Sequence, residues 1–67
     1  MKLSPTKHKI LTLVAQGYTD KEIAYKLRIS IRTVQTHLSV IIAKLNARNR
    51  TNAVVLYLYS NPNWKII

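Results

Sequence analysis

The sequence contains no cysteine and no phenylalanine, and it has one glycine and two prolines among 67 residues. Without cysteine, neither a disulfide nor a thiolate metal site can stabilise the fold. Without phenylalanine the core has to be largely aliphatic, and with one glycine the chain is poor in the turns that an all-β domain needs. These absences favour a small helical domain.

The chain is long enough for one domain only, and we expect a single domain over residues 1–67. A domain of this size buries about 60% of the surface that its unfolded chain exposes, so its core is marginal. Apolar residues make up 48% of the sequence, which indicates a folded domain rather than a disordered tail.

Acidic residues are almost absent. Asp20 and Glu22 stand against eleven lysines and arginines, and the formal net charge is +9. The cations are spread along the chain and form no polybasic block, so they do not indicate an unfolded basic arm. A folded domain with this field attracts a polyanion, most often nucleic acid. The alternative interpretation is that the charge serves solubility alone.

No apolar run is long enough to span a bilayer, and the N-terminus lacks the apolar segment of a signal peptide. We therefore expect a cytoplasmic, nucleoid-associated protein without membrane contact. His8 and His37 fall on different predicted helices, and no cysteine or nearby carboxylate completes a metal site. No HExxH motif, glycine-rich phosphate loop or nucleophile–base pair is present. We expect no enzyme activity, metal or cofactor.

The hydrophobic spacing predicts an all-α fold of four helices joined by short turns, at residues about 5–16, 20–27, 31–45 and 52–60. Four hydroxyl residues are the expected N-caps: Ser4, Thr19, Ser30 and Thr51. Thr19 and Glu22 have the spacing of a capping box, and Glu22 is also placed to pair with Lys26. Gly17 and Asn46 are expected to end the first and third helices in the left-handed conformation. After Pro62, Trp64 is expected to fold back onto the body.

The second and third predicted helices are separated by Arg28 and Ile29, which is typical of a helix-turn-helix. Ala24 is small enough to let the two helices approach closely. In the third helix, apolar residues recur every three or four positions and predict one buried face: Ile31, Val34, Leu38, Ile41 and Leu45.

The opposite side of the third helix carries hydroxyls, an amide and small apolar groups instead of the Glu and Lys usual on a solvated helix. Arg32, Thr36, Ser39, Val40 and Ala43 are predicted to point outward, with Thr33 and Gln35 at the margins. Such a face fits a DNA groove, because Gln can bond adenine in a bidentate way and Thr or Ser can reach most base edges. Surrounding cations would contact phosphates. The alternative is a surface face that happens to be rich in Thr and Ser.

From Leu3 to about Tyr59 the chain resembles the LuxR-type (GerE-like) helix-turn-helix domain, found as the output domain of many bacterial response regulators. The matching segments are "LSP", "GYTDKEIAYKLRIS", "RTVQTHL", "KL" and "NRTNAV". The resemblance implies transcription regulation by sequence-specific binding of double-stranded DNA, with the third helix in the major groove. It places base contacts at Gln35, Thr36 and Ser39, and phosphate contacts at Arg32, Thr33, Lys44 and Arg50.

The sequence departs from the family pattern at several positions. Thr6 and Lys7 replace an Arg-Glu pair usual in the first helix, which removes a typical acidic partner for later arginines. Gln35 stands in place of a usual Lys, Val40 in place of an Asn, and Asn46 in place of a Gly; Arg28 occupies a position where many helix-turn-helix proteins have a small residue.

The resemblance also implies dimerisation, largely through the fourth helix. That helix has more apolar surface than it can bury in so small a domain, and we expect a homodimer contact at Val54, Tyr57 and Leu58. Two alternatives remain open at this point: a sigma-factor-like promoter-binding region, and a protein-interaction or membrane-surface module. The natural protein is either this small or preceded by a receiver or ligand-sensing domain.

Overall fold

The computed structural model describes residues 2–66 of the chain. Its four helices are α1 (Pro5–Ala15), α2 (Asp20–Leu27), α3 (Ile31–Leu45) and α4 (Arg50–Ser60). The described residues contain no strand, so the predicted all-α class with four helices is confirmed. The predicted bounds agree to within one residue for α1 to α3, whereas α4 begins two residues earlier than expected.

The first three helices start at the predicted caps. The side chain of each accepts a hydrogen bond from the backbone N–H three residues on, at Ser4, Thr19 and Ser30. The predicted cap at Thr51 is wrong. Asn49 caps α4 instead, with its Oδ1 accepting from the Asn52 N–H at 2.8 Å, while the Asn52 side chain accepts from the Arg48 N–H at 3.0 Å. Asn is at least as good an N-cap as Thr, and this paired arrangement satisfies two backbone donors.

Three residues have a positive φ. Gly17 (96°) and Asn46 (54°) end α1 and α3, as predicted. The third, Arg28, ends α2 with a φ of 57°, a conformation that side chains with a Cβ adopt reluctantly. The Ile29 N–H then bonds the Ala24 carbonyl at 3.0 Å and closes the turn into α3. This left-handed backbone conformation gives a physical reason for the small residue that many helix-turn-helix proteins carry at this position.

The core lies where α3 packs against all three other helices. Each helix contributes to it, and the buried residues are Leu3, Ile10, Leu11, Ile23, Ala24, Val34, Leu38, Ile41, Ala53, Tyr57 and Trp64. The predicted stripe of α3 is confirmed at its centre, and Leu45 is half-buried. Ile31 is 42% exposed, contrary to prediction, because it occupies the first position of α3, at the edge of the core.

The residues after α4 pack back onto α1, as predicted for Trp64. The indole Nε1 donates to Thr12 Oγ1 at 2.9 Å, and the ring meets Tyr57 edge-on with centroids 4.8 Å apart. Gln16 also donates to the Ile66 carbonyl. These contacts fix the ends of α1 and α4 relative to each other and set the direction in which α4 presents its outer face.

Candidate nucleic-acid interface

The outer face of α3 is exposed along its whole length. Burial of Val34, Leu38 and Ile41 turns the opposite side of the helix to solvent. Lys44 is exposed, and so are all seven residues predicted to lie on this face or its margins: Arg32, Thr33, Gln35, Thr36, Ser39, Val40 and Ala43. The sequence therefore predicted the orientation of this helix correctly.

Most of the polar groups on this face are not used inside the domain. Within residues 2–66, the side chains of Arg32, Thr36 and Ser39 make no hydrogen bond to another residue, and α3 carries no carboxylate. Thr33 differs, because its hydroxyl lies 2.8 Å from the Ser30 hydroxyl at the start of the helix. The centre of the face thus presents free donors and acceptors, which suits a polar groove.

Arg50 has a partner that the sequence analysis missed. Its guanidinium donates through Nη1 to Asp20 Oδ1 at 2.5 Å and through Nη2 to Oδ2 at 3.1 Å. These hydrogen bonds are the main reason why the pKa of Asp20 is lowered and that of Arg50 raised. Asp20 is thus the acidic partner of this arginine within the described residues. The spacing of 30 residues gave no local signal for this pair.

Gln35 is an exposed residue of α3. Hydrogen bonding by the Gln35 side chain is a further, smaller cause of the lowered pKa of Asp20. On a helix with 3.6 residues per turn, Gln35 stands about a quarter turn from the buried stripe, on the margin of the exposed face. Asp20 and Arg50 therefore connect the first turns of α2 and α4.

On α2 the predicted capping box is present, but the predicted pair between Glu22 and Lys26 is not. Glu22 and Lys26 form no ion pair within the described residues; the Glu22 carboxylate accepts from the Thr19 N–H at 2.9 Å and completes the capping box. That bond is the main cause of the lowered pKa of Glu22, and the charge of Lys26 is a minor one. Lys26 Nζ lies 4.7 Å from the centre of the Tyr18 ring, a cation–π contact.

The three predicted dimer residues on α4 differ in their exposure to solvent. Val54 is half-buried and Leu58 is 41% exposed, but Tyr57 is only 4% exposed and belongs to the core. The Tyr57 hydroxyl lies 2.7 Å from His8 Nδ1, and burial raises its pKa. Tyr57 therefore offers little surface for a contact with another molecule.

Two exposed apolar residues of α4 were missed by the sequence analysis. Val55 is 44% exposed and Tyr59 is 81% exposed. Together with Thr51 and Leu58 they follow the spacing i, i+4, i+7, i+8, which defines one helix face. That spacing is readable in the sequence and would have found them. We call Val54, Val55, Leu58 and Tyr59 the α4 apolar face.

Three structural features are absent from the described residues. The described residues contain no group of three His, Cys, Asp or Glu side chains placed to hold a metal ion. They contain no buried side-chain nitrogen or oxygen without a hydrogen-bond partner. No helix among them is long and apolar enough to cross a bilayer.

A tight turn between α2 and α3, with an exposed polar face on α3, defines a helix-turn-helix domain. Residues 1–57 match the family of bacterial regulatory proteins called the luxR family, and the chain belongs to that family. It is a LuxR-type DNA-binding helix-turn-helix domain.

Similar proteins support this assignment. The response regulator protein VraR of Staphylococcus aureus is 42% identical over 59 residues, which is 88% of this chain and 28% of that protein. VraR of Staphylococcus saprophyticus matches to the same extent. The chain thus spans about a quarter of the length of these relatives. The solved structure of the transcription factor GerE superposes with a TM-score of 0.87 at 29% identity, over 97% of this chain and 96% of that one.

Proposed function

We propose that this domain regulates transcription by binding specific sequences of double-stranded DNA, with α3 in the major groove. The observation that carries this proposal is the outer face of α3. It presents unpaired hydroxyl and guanidinium groups and no carboxylate, on a chain with a net charge of +9. Polar side chains at this spacing can meet base edges, and the cations around them can meet phosphates.

The individual roles follow from how each side chain is held. Thr36 and Ser39 are free to bond base edges, and Gln35 reads a base from the margin of the face. Arg32 and Lys44 contact phosphates.

Two of the expected phosphate contacts need revision. Thr33 is tied to the cap of α3, and Arg50 already donates to Asp20. Both can approach a phosphate only in competition with these internal partners, so they contribute less to affinity than Arg32 and Lys44.

We further propose that two copies associate through the α4 apolar face when they bind DNA. Val54, Val55 and Leu58 supply the contact, whereas Tyr57 supports it from the core. The face is small, so the free domain is monomeric or weakly dimeric, and DNA raises the effective concentration of one copy beside the other. Two-fold pairing would place the recognition helices about one DNA turn, roughly 34 Å, apart.

The names of the relatives favour a regulatory role in a longer protein. VraR is a response regulator protein and GerE a transcription factor. A domain that matches 28% of such a relative fits as the output part of a regulator that also has a receiver or sensor domain. The likeness to GerE extends over α4, which favours a dimeric regulator over a sigma-factor-like region.

The direct test is binding to duplex DNA, measured by fluorescence anisotropy over a range of salt concentrations. Selection from random duplexes first supplies a preferred site. If the dimer contacts about four to eight phosphates, log K should fall with log salt at a slope of roughly −4 to −7. The preferred site should bind more tightly than random DNA at every salt concentration. A slope near zero, or no preferred site after selection, would contradict the proposal.

A further inference from the structure

A cavity of about 330 Å³ opens between the C-terminal end of α1 and the first half of α4, and we call it the α1–α4 cavity. Most of its lining is apolar or small: Val14, Ala15, Tyr18, Thr51, Val54 and Val55. Of the described residues that line it, Arg50 is the one charged side chain, and it already donates hydrogen bonds to Asp20. A cavity of about 150 Å³ can hold a molecule the size of benzene. The α1–α4 cavity therefore suits an apolar side chain better than a phosphate.

The α1–α4 cavity borders one flank of the α4 apolar face. Val54 and Val55 belong to both the cavity and the face. Thr51, Val54 and Leu58 stand at i, i+3 and i+7, a spacing that keeps them on the same flank of the helix. Tyr59 follows Val55 by four residues and lies on the other flank. Leu58 is 41% exposed and lies on the cavity's flank, but it is a full turn beyond Val54 and does not line the cavity of its own copy.

The charges of α4 favour a second copy of this chain as the molecule that covers its outer face. Two domains that each carry a net charge of +9 repel one another. After Arg50, however, α4 has no charged residue, whereas α1, α2 and α3 each expose lysine or arginine side chains. The α4 apolar face is therefore the surface on which two copies can approach with the least like charge brought together.

Antiparallel pairing of two α4 helices about a two-fold axis at Val55 sets Leu58 of one copy against the cavity of the other. Such an axis reverses the direction of the helix and brings the same flank of each copy together. Residue 58, three positions after Val55, then meets the level of residue 52, three positions before it. The neighbours at this level on that flank are Thr51 and Val54, which line the cavity. In a parallel pair each residue would instead meet its own counterpart, and the cavity would stay unfilled.

We propose that Leu58 of one copy inserts into the α1–α4 cavity of the other, so that the end of α1 forms part of the dimer contact. This inference rests on the proposed function, since it assumes that two copies associate through the α4 apolar face. By two-fold symmetry the insertion occurs twice, with Val55 against Val55 between the two insertions. It gives Val14 and Ala15, which lie outside α4, a direct role in the coupling between two half-sites. Side chains that fill pockets carry most of the energy of such contacts.

Disulfide crosslinking on a duplex with paired half-sites tests the register, because the chain contains no cysteine of its own. Val55→Cys should crosslink to itself. An equimolar mixture of Thr51→Cys and Leu58→Cys should form a mixed disulfide, since these residues differ in level by about 1.5 Å. Neither variant alone should crosslink, because its two copies lie about 9 Å or more apart along the helix axis, beyond the reach of a disulfide. Mass spectrometry of the unreduced products identifies each species.

The coupling between paired half-sites tests the contribution of α1. Ala15→Leu fills the cavity from the α1 side without changing α4, and we expect the coupling to fall about fivefold or more. Leu58→Ala removes the inserted side chain and should lose a similar factor. The double variant Ala15→Leu/Leu58→Ala exchanges the large and small side chains, so it should couple better than either single variant. Thr6→Leu, at an exposed position in the first turn of α1, is the matched control and should keep the coupling of the parent.

Three results would overturn the insertion. A crosslink in Thr51→Cys alone would show that the helices run parallel. A crosslink in Val55→Cys without the mixed disulfide would show a contact through α4 in which Leu58 does not reach the cavity. Unchanged coupling in an Ala15→Leu variant that melts like the parent would show that α1 takes no part.

Failure of the proposed association has a different signature. A parent domain that shows no coupling between paired half-sites, together with no crosslink in Val55→Cys, would contradict the α4 contact itself. The crosslinking experiment does not use the Ala15 variant, so it decides the register even if that variant fails to fold.

Discussion

The outer faces of α3 and α4 belong to helices that pack side by side on one core, yet they have opposite chemistry. The α3 face carries hydroxyls, an amide and cations, and its most exposed large apolar residue beyond the first turn, Val40, is 37% exposed. The α4 face carries Val55, Leu58 and Tyr59 at 44%, 41% and 81% exposure. Covering an apolar face with another apolar surface lowers the free energy. Covering a polar face does so only where new hydrogen bonds replace those that the face makes with water. The two faces are therefore suited to different ligands.

The different roles of the two faces are tested most directly by placing the same charge on each face. Thr36→Glu puts a carboxylate where α3 would meet base edges and phosphates, and we expect the affinity for all duplexes to fall roughly a hundredfold or more, because a charge buried without a partner costs about 3–5 kcal/mol. Val55→Glu puts it on α4, and binding to a single half-site should change little. Anisotropy with a single half-site, together with circular dichroism, measures both.

The opposite result would assign the DNA contact to α4 instead of α3. If folded Val55→Glu lost single-site binding and Thr36→Glu kept it, then α4 rather than α3 would be the DNA-contacting helix. Thr51→Glu is a useful third variant, since residue 51 is exposed on α4 next to the apolar face. It should resemble Val55→Glu in single-site binding.

Within the α3 face, base reading and phosphate contact can be separated. Gln35→Ala should cost about 1–3 kcal/mol on the preferred site and little on random DNA, because the lost hydrogen bonds are specific to one base pair. Lys44→Ala should weaken both duplexes about equally and reduce the salt slope by about one. If the two variants behave alike on both duplexes, α3 does not lie in the groove as proposed.

On the α4 face the expected effect is on cooperativity. Leu58→Lys places a cation in each half of a two-fold contact, and we expect it to remove about 1–2 kcal/mol of the coupling between two half-sites. Ser60→Lys is the matched control, because residue 60 is exposed on the same helix outside the apolar face. Titrations of single and paired half-sites measure the coupling. Equal coupling in both variants would show that the contact lies elsewhere.

The sequence was sufficient for the fold and for the direction of α3. Three of four helix starts were marked by caps whose hydrogen bonds are local, and the buried stripe of α3 repeats every three or four residues. The start of α4 was misread because Asn49 and Thr51 are both acceptable caps, and the choice depends on the reciprocal bond between Asn52 and Arg48.

The site was less predictable where contacts are non-local. Tyr57 looked like surface because its helix is apolar on several sides, and only the packing of Trp64 and His8 against it shows that it is core. Asp20 and Arg50 are separated by 30 residues, so no periodic pattern could pair them.

The smallest expected effect concerns the ion pair that lies between the two faces. The folded state lowers the pKa of Asp20, mainly through the hydrogen bonds from Arg50, so its contribution to stability is present above the unfolded value of about 3.9 and is lost as the pH falls through the folded value. The Arg50 side chain is 41% exposed, so solvent screens the pair and we expect less than about 1 kcal/mol. Thermal melts from pH 6 to pH 2 should therefore show a smaller loss of stability in Asp20→Asn than in the parent. Glu22, whose pKa is also lowered, titrates in both proteins and supplies the common background. Identical acid-induced losses in the two proteins would mean that the pair does not stabilise the junction of α2 and α4, and the orientation of the α4 face would then depend on the packing of α4 against α1, α3 and Trp64.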